Sequence, residues 1–193
     1  MNDGNRQEYH GNISVGLLSA RANLEGPIVK DRSSFNVSVC RTWLDLITGT
    51  ALAIINKNSD TKESFGYHFF DINAKVNHSF SERSRAYLSF YMGQDAFRQG
   101  SKEKHEDSDD MFLWRWGNLI GSAGWNYVFG QKLFGNLMVG YSRFRSHIRQ
   151  EAKGYEIEGN RAERQSIKRD SRYKSEMEDL SVRLSVDYSP SMN

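Results

Sequence analysis

The densest run of chemically capable side chains is Lys102–Asp110, KEKHEDSDD, in which carboxylates crowd His105. Carboxylate oxygens in a pliant loop are hard ligands suited to Ca²⁺. The spacing is not that of an EF-hand loop, which needs a central Gly and a distant Glu, and charge runs are ordinarily solvated. A solvated loop, with no metal site, is the expectation. A second run, RAERQSIKRDSRYK, is basic enough to suggest phosphate contacts with nucleic acid or lipopolysaccharide. Acids interrupt it and no nucleic-acid module accompanies it, so it is also read as a solvated loop. A third stretch, WRW, sets Trp114 and Trp116 two residues apart, on one side of any extended strand. Two flat indoles on one face could stack against a sugar or an aromatic ligand; anchoring at a polar–apolar boundary is the competing use. Trp114 and Trp116 are the only candidate ligand-binding residues. No Ser/His/Asp set, paired-carboxylate arrangement, metal-ligand motif or phosphate loop occurs at an interpretable spacing. No catalytic residue, no metal, no cofactor and no enzymatic activity are therefore expected.

The elements that would position these residues are strands. Leu180, Val182, Leu184, Val186 and Tyr188 alternate with Ser181, Arg183, Ser185 and Asp187, a strict period of two that sends the two sets to opposite faces. Phe70, Ile72, Ala74 and Val76 oppose Asp71, Asn73, Lys75 and Asn77 in the same way. So do Ala86, Leu88, Phe90 and Met92 against Arg85, Tyr87, Ser89 and Tyr91. The series Leu119, Gly121, Ala123, Trp125 and Tyr127 follows, with Ile120 as an exception on the polar side, and then Leu137, Val139 and Tyr141. Near the start the apolar phase slips, from Ile13, Val15 and Leu17 to Leu18, Ala20, Ala22 and Leu24. A slip of one residue needs a bulge or a reversal, here a short loop around Leu17–Ser19. No segment carries a convincing 3.6-residue period, so helices are not the framework.

Connections alternate in length. Tight ones fall at Val29–Ser33, Ser81–Ser84 and Gly130–Lys132; long polar ones are TGTALAIINKNSDTKES, RQGSKEKHEDSDD and the stretch from Ile148 to Glu176. In an up-and-down sheet, alternate connections share one end, so one end carries tight turns and the other long charged loops. Phe35, Phe80, Tyr127, Phe129, Phe134 and Tyr188 sit beside the tight turns. The face opposite the apolar one carries Asp71, Lys75, Arg85, Arg183 and Asp187 in mid-strand, too charged for a small packed interior and suited to a wide wet lumen. The apolar face is therefore expected to meet hydrocarbon.

Composition fits. The mean hydropathy is −0.68 and no stretch has the ~20 apolar residues a membrane helix requires, but alternating strands average out as polar. A net charge of +2 argues against nucleic acid as a partner. Cys40 is the single cysteine, so an internal disulfide framework is impossible; a small strand residue is its expected role. MNDGNRQEYH has neither a basic start nor an apolar core and does not read as a secretory signal.

The stretch HGNISVGLLSARANLEGPIVKDRSSFNVSVCRTWLDLIT resembles the first barrel strands of TonB-dependent outer-membrane receptors of the Bacteroidetes type, with a Gly-rich strand, a small loop, a strand ending in L-x-G-P, a tight turn and a third strand. FDINAKVNHSFSERSRAYLSFYMGQD and GNLIGSAGWNYVFGQKLFGNLMVGYSRF look like the hairpins that follow, and EDLSVRLSVDYSPSMN like a further strand running into a periplasmic turn. The resemblance implies an all-β chain: an antiparallel up-and-down meander of about eight long strands, part of a transmembrane β-barrel. Residues 1–10 would be the tail of a plug or linker. Residues 11–193 would be partial barrel, with strands near 11–17, 20–28, 34–47, 66–80, 85–96, 111–129, 133–148 and 177–188. It also implies uptake of a scarce nutrient such as a glycan or siderophore, and location in the cell outer membrane. Its partners would be the lipid bilayer, a plug domain, the TonB complex, a small nutrient ligand and a surface lipoprotein. The family's complete barrel has 22 strands; this chain has room for roughly eight at ~10 residues per crossing, and is read as an N-terminal barrel fragment. The alternative is a small closed β-barrel, in the outer membrane or soluble, acting as a binding or adhesion module.

Overall fold

The computed structural model describes residues 2–103, 108–157 and 164–189. The eight strands are β1 (His10–Val15), β2 (Ser19–Val29), β3 (Ser33–Thr42), β4 (Thr61–Ser81), β5 (Ser84–Glu103), β6 (Asp109–Val128), β7 (Leu133–Ile157) and β8 (Arg164–Tyr188). They form one antiparallel sheet in sequence order, with β1 and β8 as its two edges, so the meander is open rather than closed. The expected all-β up-and-down architecture is what the chain adopts.

The tight turns lie at the sites that the alternation marks, between Val29 and Ser33, Ser81 and Ser84, and Val128 and Leu133. In the first, Arg32 N–H donates to the Val29 carbonyl at 3.1 Å and Asp31 takes a left-handed φ of 64°. Asp tolerates that conformation better than most residues because its short side chain bonds locally. The phase slip after Val15 is a reversal, closed by Gly16 N–H donating to the Ser19 carbonyl at 2.8 Å.

At the opposite end the structure corrects the sequence reading. The third strand stops at Thr42 rather than running to residue 47, and Leu44–Ile55 form an α-helix, α1, in a stretch read as a polar loop. Its Thr48 hydroxyl donates to the β4 carbonyl of Phe65 at 3.1 Å, and Asn56 exchanges hydrogen bonds with the Glu63 backbone at 2.6 and 3.0 Å. Other stretches read as long loops are largely strand. The β5–β6 ladder continues to Lys102 opposite Asp109, and the β7–β8 ladder to Ile157 opposite Arg164. Backbone pairing carries these arms beyond the point where apolar alternation stops.

Burial is inverted relative to a water-soluble sheet. Among the described residues no hydrophobic side chain is buried, whereas Ser33, Ser34, Asn36, Thr42 and Asn77 are. Ladder parity puts Ser34, Asn36, Asn73, Lys75, Asn77, Tyr87, Ser89 and Ser122 on one face, hereafter the inner face. The apolar set of every strand is on the outer face, where Leu180 is 71% and Leu184 72% exposed.

The apolar belt has an edge. It ends at Leu180 on β8, Tyr141 on β7, Leu119 on β6, Met92 on β5 and Phe70 on β4, and the next outer positions include Glu178, Arg143 and His68. The ladder sets Phe70 on the rung of Gln94, Gly117, Arg145 and Glu176, so the edge lies four residues further along at β4 than at β8.

Residues 2–6 lie across the inner face at the tight-turn end. Asp3 pairs with Arg85 and, at 2.8 Å, with Lys75. Arg6 donates to Asn77 Oδ1 at 3.3 Å, and its carbonyl accepts from Asp31 N–H at 3.1 Å. Tyr9 turns to the outer face, where its ring lies over Gly26 and 6.2 Å from that of Phe35, and its hydroxyl donates to the Pro27 carbonyl at 2.9 Å.

Candidate functional site

Above the belt the two faces exchange character within unbroken strands. On β4 the outer apolar positions Phe70 and Ile72 give way to the inner positions Phe69, Tyr67 and Phe65. On β6, Leu119 and Gly121 on the outer face give way to Trp116, Trp114 and Phe112 on the inner. The same exchange brings Phe97 on β5, Phe144 and Ile148 on β7, and Met177 and Tyr173 on β8 to the inner face. No register shift accompanies it on β6, β7 or β8. The residues stay in phase while the side-chain character of each face changes.

Trp114 and Trp116 are placed by this exchange on the inner face, their ring centroids 4.3 Å apart. Trp116 lies opposite Asp95 and Trp114 opposite Phe97 in the ladder. The Tyr67 ring is stacked with Trp116 at 6.4 Å and an interplanar angle of 25°. Phe97 meets Phe65 at 5.5 Å and Phe112 at 6.0 Å, both edge-on. Two polar links fix the rings: Tyr67 O–H donates to Asp95 Oδ1 at 2.7 Å, and Trp114 Nε1–H donates to Ser146 Oγ at 3.0 Å. Tyr67 stands above the belt, and burial, with the Asp95 carboxylate beside it, pushes its phenol up to about 12. It therefore remains a neutral donor at physiological pH.

A cleft of about 530 Å³ opens next to this aromatic floor, towards the hairpin tips. Phe65, Phe112, Gln99, Gln150, Asp110 and Arg169 are among its walls. Aromatic rings below and amide, carboxylate and guanidinium groups above suit a ligand with an apolar ring face and polar substituents. Trp114→Ala with Trp116→Ala is expected to weaken such a ligand about tenfold, since aromatic stacking contributes ~0.5–1.5 kcal/mol per pair. Calorimetric titration of each variant is the check, with Trp125→Ala, far below on the outer face, as the control.

The sequence nominated the two tryptophans but not Tyr67, Asp95, Phe97, Phe65 or Phe112. Two of these lay beyond the expected strand limits, 66–80 and 85–96. The signal that finds them is the change of apolar parity itself, repeated on five neighbouring strands. Of the acidic run, residues 104–107, including His105, lie outside the described residues; Asp109 and Asp110 begin β6. Among the described residues no group of acids, histidines or cysteine has a metal-holding arrangement. Within the basic run, residues 164–174 are strand β8, and Asp170 is gripped by Arg172 at 2.6 Å and Arg149 at 3.5 Å. Arg172 donates to the Asp170 carboxyl and holds it below the usual carboxylate range. Searches of family models, curated proteins and solved structures give no match to this chain.

Proposed function

We propose that this chain is barrel wall from a TonB-dependent outer-membrane receptor, its outer belt against lipid, its inner face against a wet lumen, and its aromatic cleft at the ligand-collecting mouth. The carrying observation is the inversion of burial: large aliphatic side chains exposed on a continuous face, and no buried hydrophobic side chain among the described residues. Contiguous apolar surface on this scale marks contact with a membrane or a protein partner. The charged limit of the belt, and the rings of Phe80, Phe129 and Tyr188 exposed at its other margin, favour the membrane. The open edges at β1 and β8 suit a wall continued by neighbouring strands, because unpaired backbone groups in hydrocarbon cost several kcal/mol each. Nutrient uptake, the plug and the TonB complex rest on the resemblance of residues 10–48 to the family.

The test is solubility followed by topology. Expressed alone, the chain is expected to sediment without detergent and to become monodisperse in neutral detergent. In micelles, hydrogen exchange at Leu180–Tyr188 should be slow and that at Arg164–Lys174 fast. A monodisperse, sheet-rich monomer in plain buffer would overturn the reading.

A further inference from the structure

We infer that the outer face immediately above the belt, where α1 approaches β4–β6, binds the phosphate-bearing headgroup of an outer-leaflet lipid; this rests on the membrane reading above. One rung of the ladder there reads His68, Ala96, Arg115, His147 and Lys174 across β4 to β8, and the next sets Arg98 opposite Leu113. Arg98 and Arg115 are both exposed and line a groove of about 420 Å³ against α1. Among the described residues neither has an ion-pair partner, and the same holds for Lys174 and His147. Their neighbours Arg143 and Arg145, by contrast, share Glu176. The acid in the groove is Asp45 on the first turn of α1, whose Oδ2 lies 3.6 Å from His68 Nδ1. Unpaired guanidinium groups fit phosphate in a fork geometry that gives both charge and direction.

What selects a lipid rather than free phosphate is the surface below. Directly beneath Arg115, β6 runs Gly117, Leu119, Gly121 and Ala123 on the outer face, and a Cβ built at Gly121 would meet nothing within 4 Å. This shallow track lies between Phe90 and Met92 on β5 and Val139 and Tyr141 on β7. An acyl chain fits along it while its phosphate reaches the two arginines. Cationic groups at the edge of an apolar band are the arrangement by which an anionic amphiphile is held at both ends.

The experiment is native mass spectrometry of the full chain refolded in neutral detergent and titrated with diphosphoryl lipid A, with its dephosphorylated form, and with inorganic phosphate. Diphosphoryl lipid A should be retained and the other two lost. Arg98→Gln with Arg115→Gln should weaken retention at least about tenfold, because both charge-assisted contacts to the phosphate are lost. Arg98→Lys with Arg115→Lys should keep most of it, and Arg83→Gln, at the tight-turn end, should change nothing. The single variants replace the double one if its circular dichroism departs from the parent's. Equal retention by the glutamine variants, equal binding of the dephosphorylated lipid, or binding of inorganic phosphate as tight as that of lipid A would each overturn the inference while leaving the membrane reading intact. A chain that never enters the micelle overturns both.

Discussion

Replacing Leu184 by arginine is expected to destabilise the chain in detergent micelles by about 2–4 kcal/mol, the penalty for a cation at the middle of a lipid-facing strand. Leu184 is the central residue of the belt on β8, between Leu180 and Tyr188, and its side chain is 72% exposed. Exposure alone predicts the opposite. A surface substitution in water, away from caps and partners, usually stays within about 0.5 kcal/mol. The measurement is urea unfolding of the micellar protein followed by tryptophan fluorescence. Arg183→Ala, one residue away on the inner face, is the companion and should be mild. Equal costs for the two would mean that both faces of β8 meet the same solvent.

The second large effect is expected at Asn77, where a leucine should cost about 1–3 kcal/mol because buried partners are left unsatisfied. Asn77 is 1% exposed, donates to Ser34 Oγ at 2.8 Å and accepts from Arg6 at 3.3 Å. In a sheet built on an oily core, leucine at so buried a site would be welcome. Here the site belongs to the polar inner face, with the N-terminal segment across it. Loss of Arg6 should also loosen residues 2–9, so limited proteolysis ahead of His10 should speed up in Asn77→Leu. Asn73→Leu, half-buried and with its side chain bonded, among the described residues, to Asp71 on its own strand, should do neither.

The strands that cross the belt were legible because one face is apolar and the other polar, which writes a period of two into Leu180–Tyr188 and Phe70–Val76. The turns were legible because Gly, Pro, Asn, Asp and Ser punctuate them for conformational reasons. The arms above the belt were not. There, backbone hydrogen bonds hold the ladder while both faces carry polar or aromatic side chains, so Arg143–Ile157 offers no apolar beat to follow. Helix α1 was hidden for a different reason: LDLITGTALAII is apolar nearly all round, so no stripe at 3.6 spacing stands out, and Gly49, Thr48 and Thr50 are weak helix formers. Trp114 and Trp116 were visible as a pair. Their supporting rings were not, because they lie on other strands at positions where the parity had already changed.

The stepped edge of the belt has a geometric meaning. If the boundary is a level plane, strands whose edge shifts by four residues between β8 and β4 must lean against it. Four residues at ~3.3 Å against four strand spacings at ~4.8 Å give a lean of roughly 35° from the vertical. The run from Leu180 to Tyr188, about 26 Å along the strand at that rise, is foreshortened by the lean to about 22 Å of height, near the ~25 Å hydrocarbon band of outer-membrane barrels. Any strand added beside β8 or β1 must keep the same slope. A neighbour at another pitch would lift its own greasy residues out of the slab or drag Arg143 and Glu178 down into it.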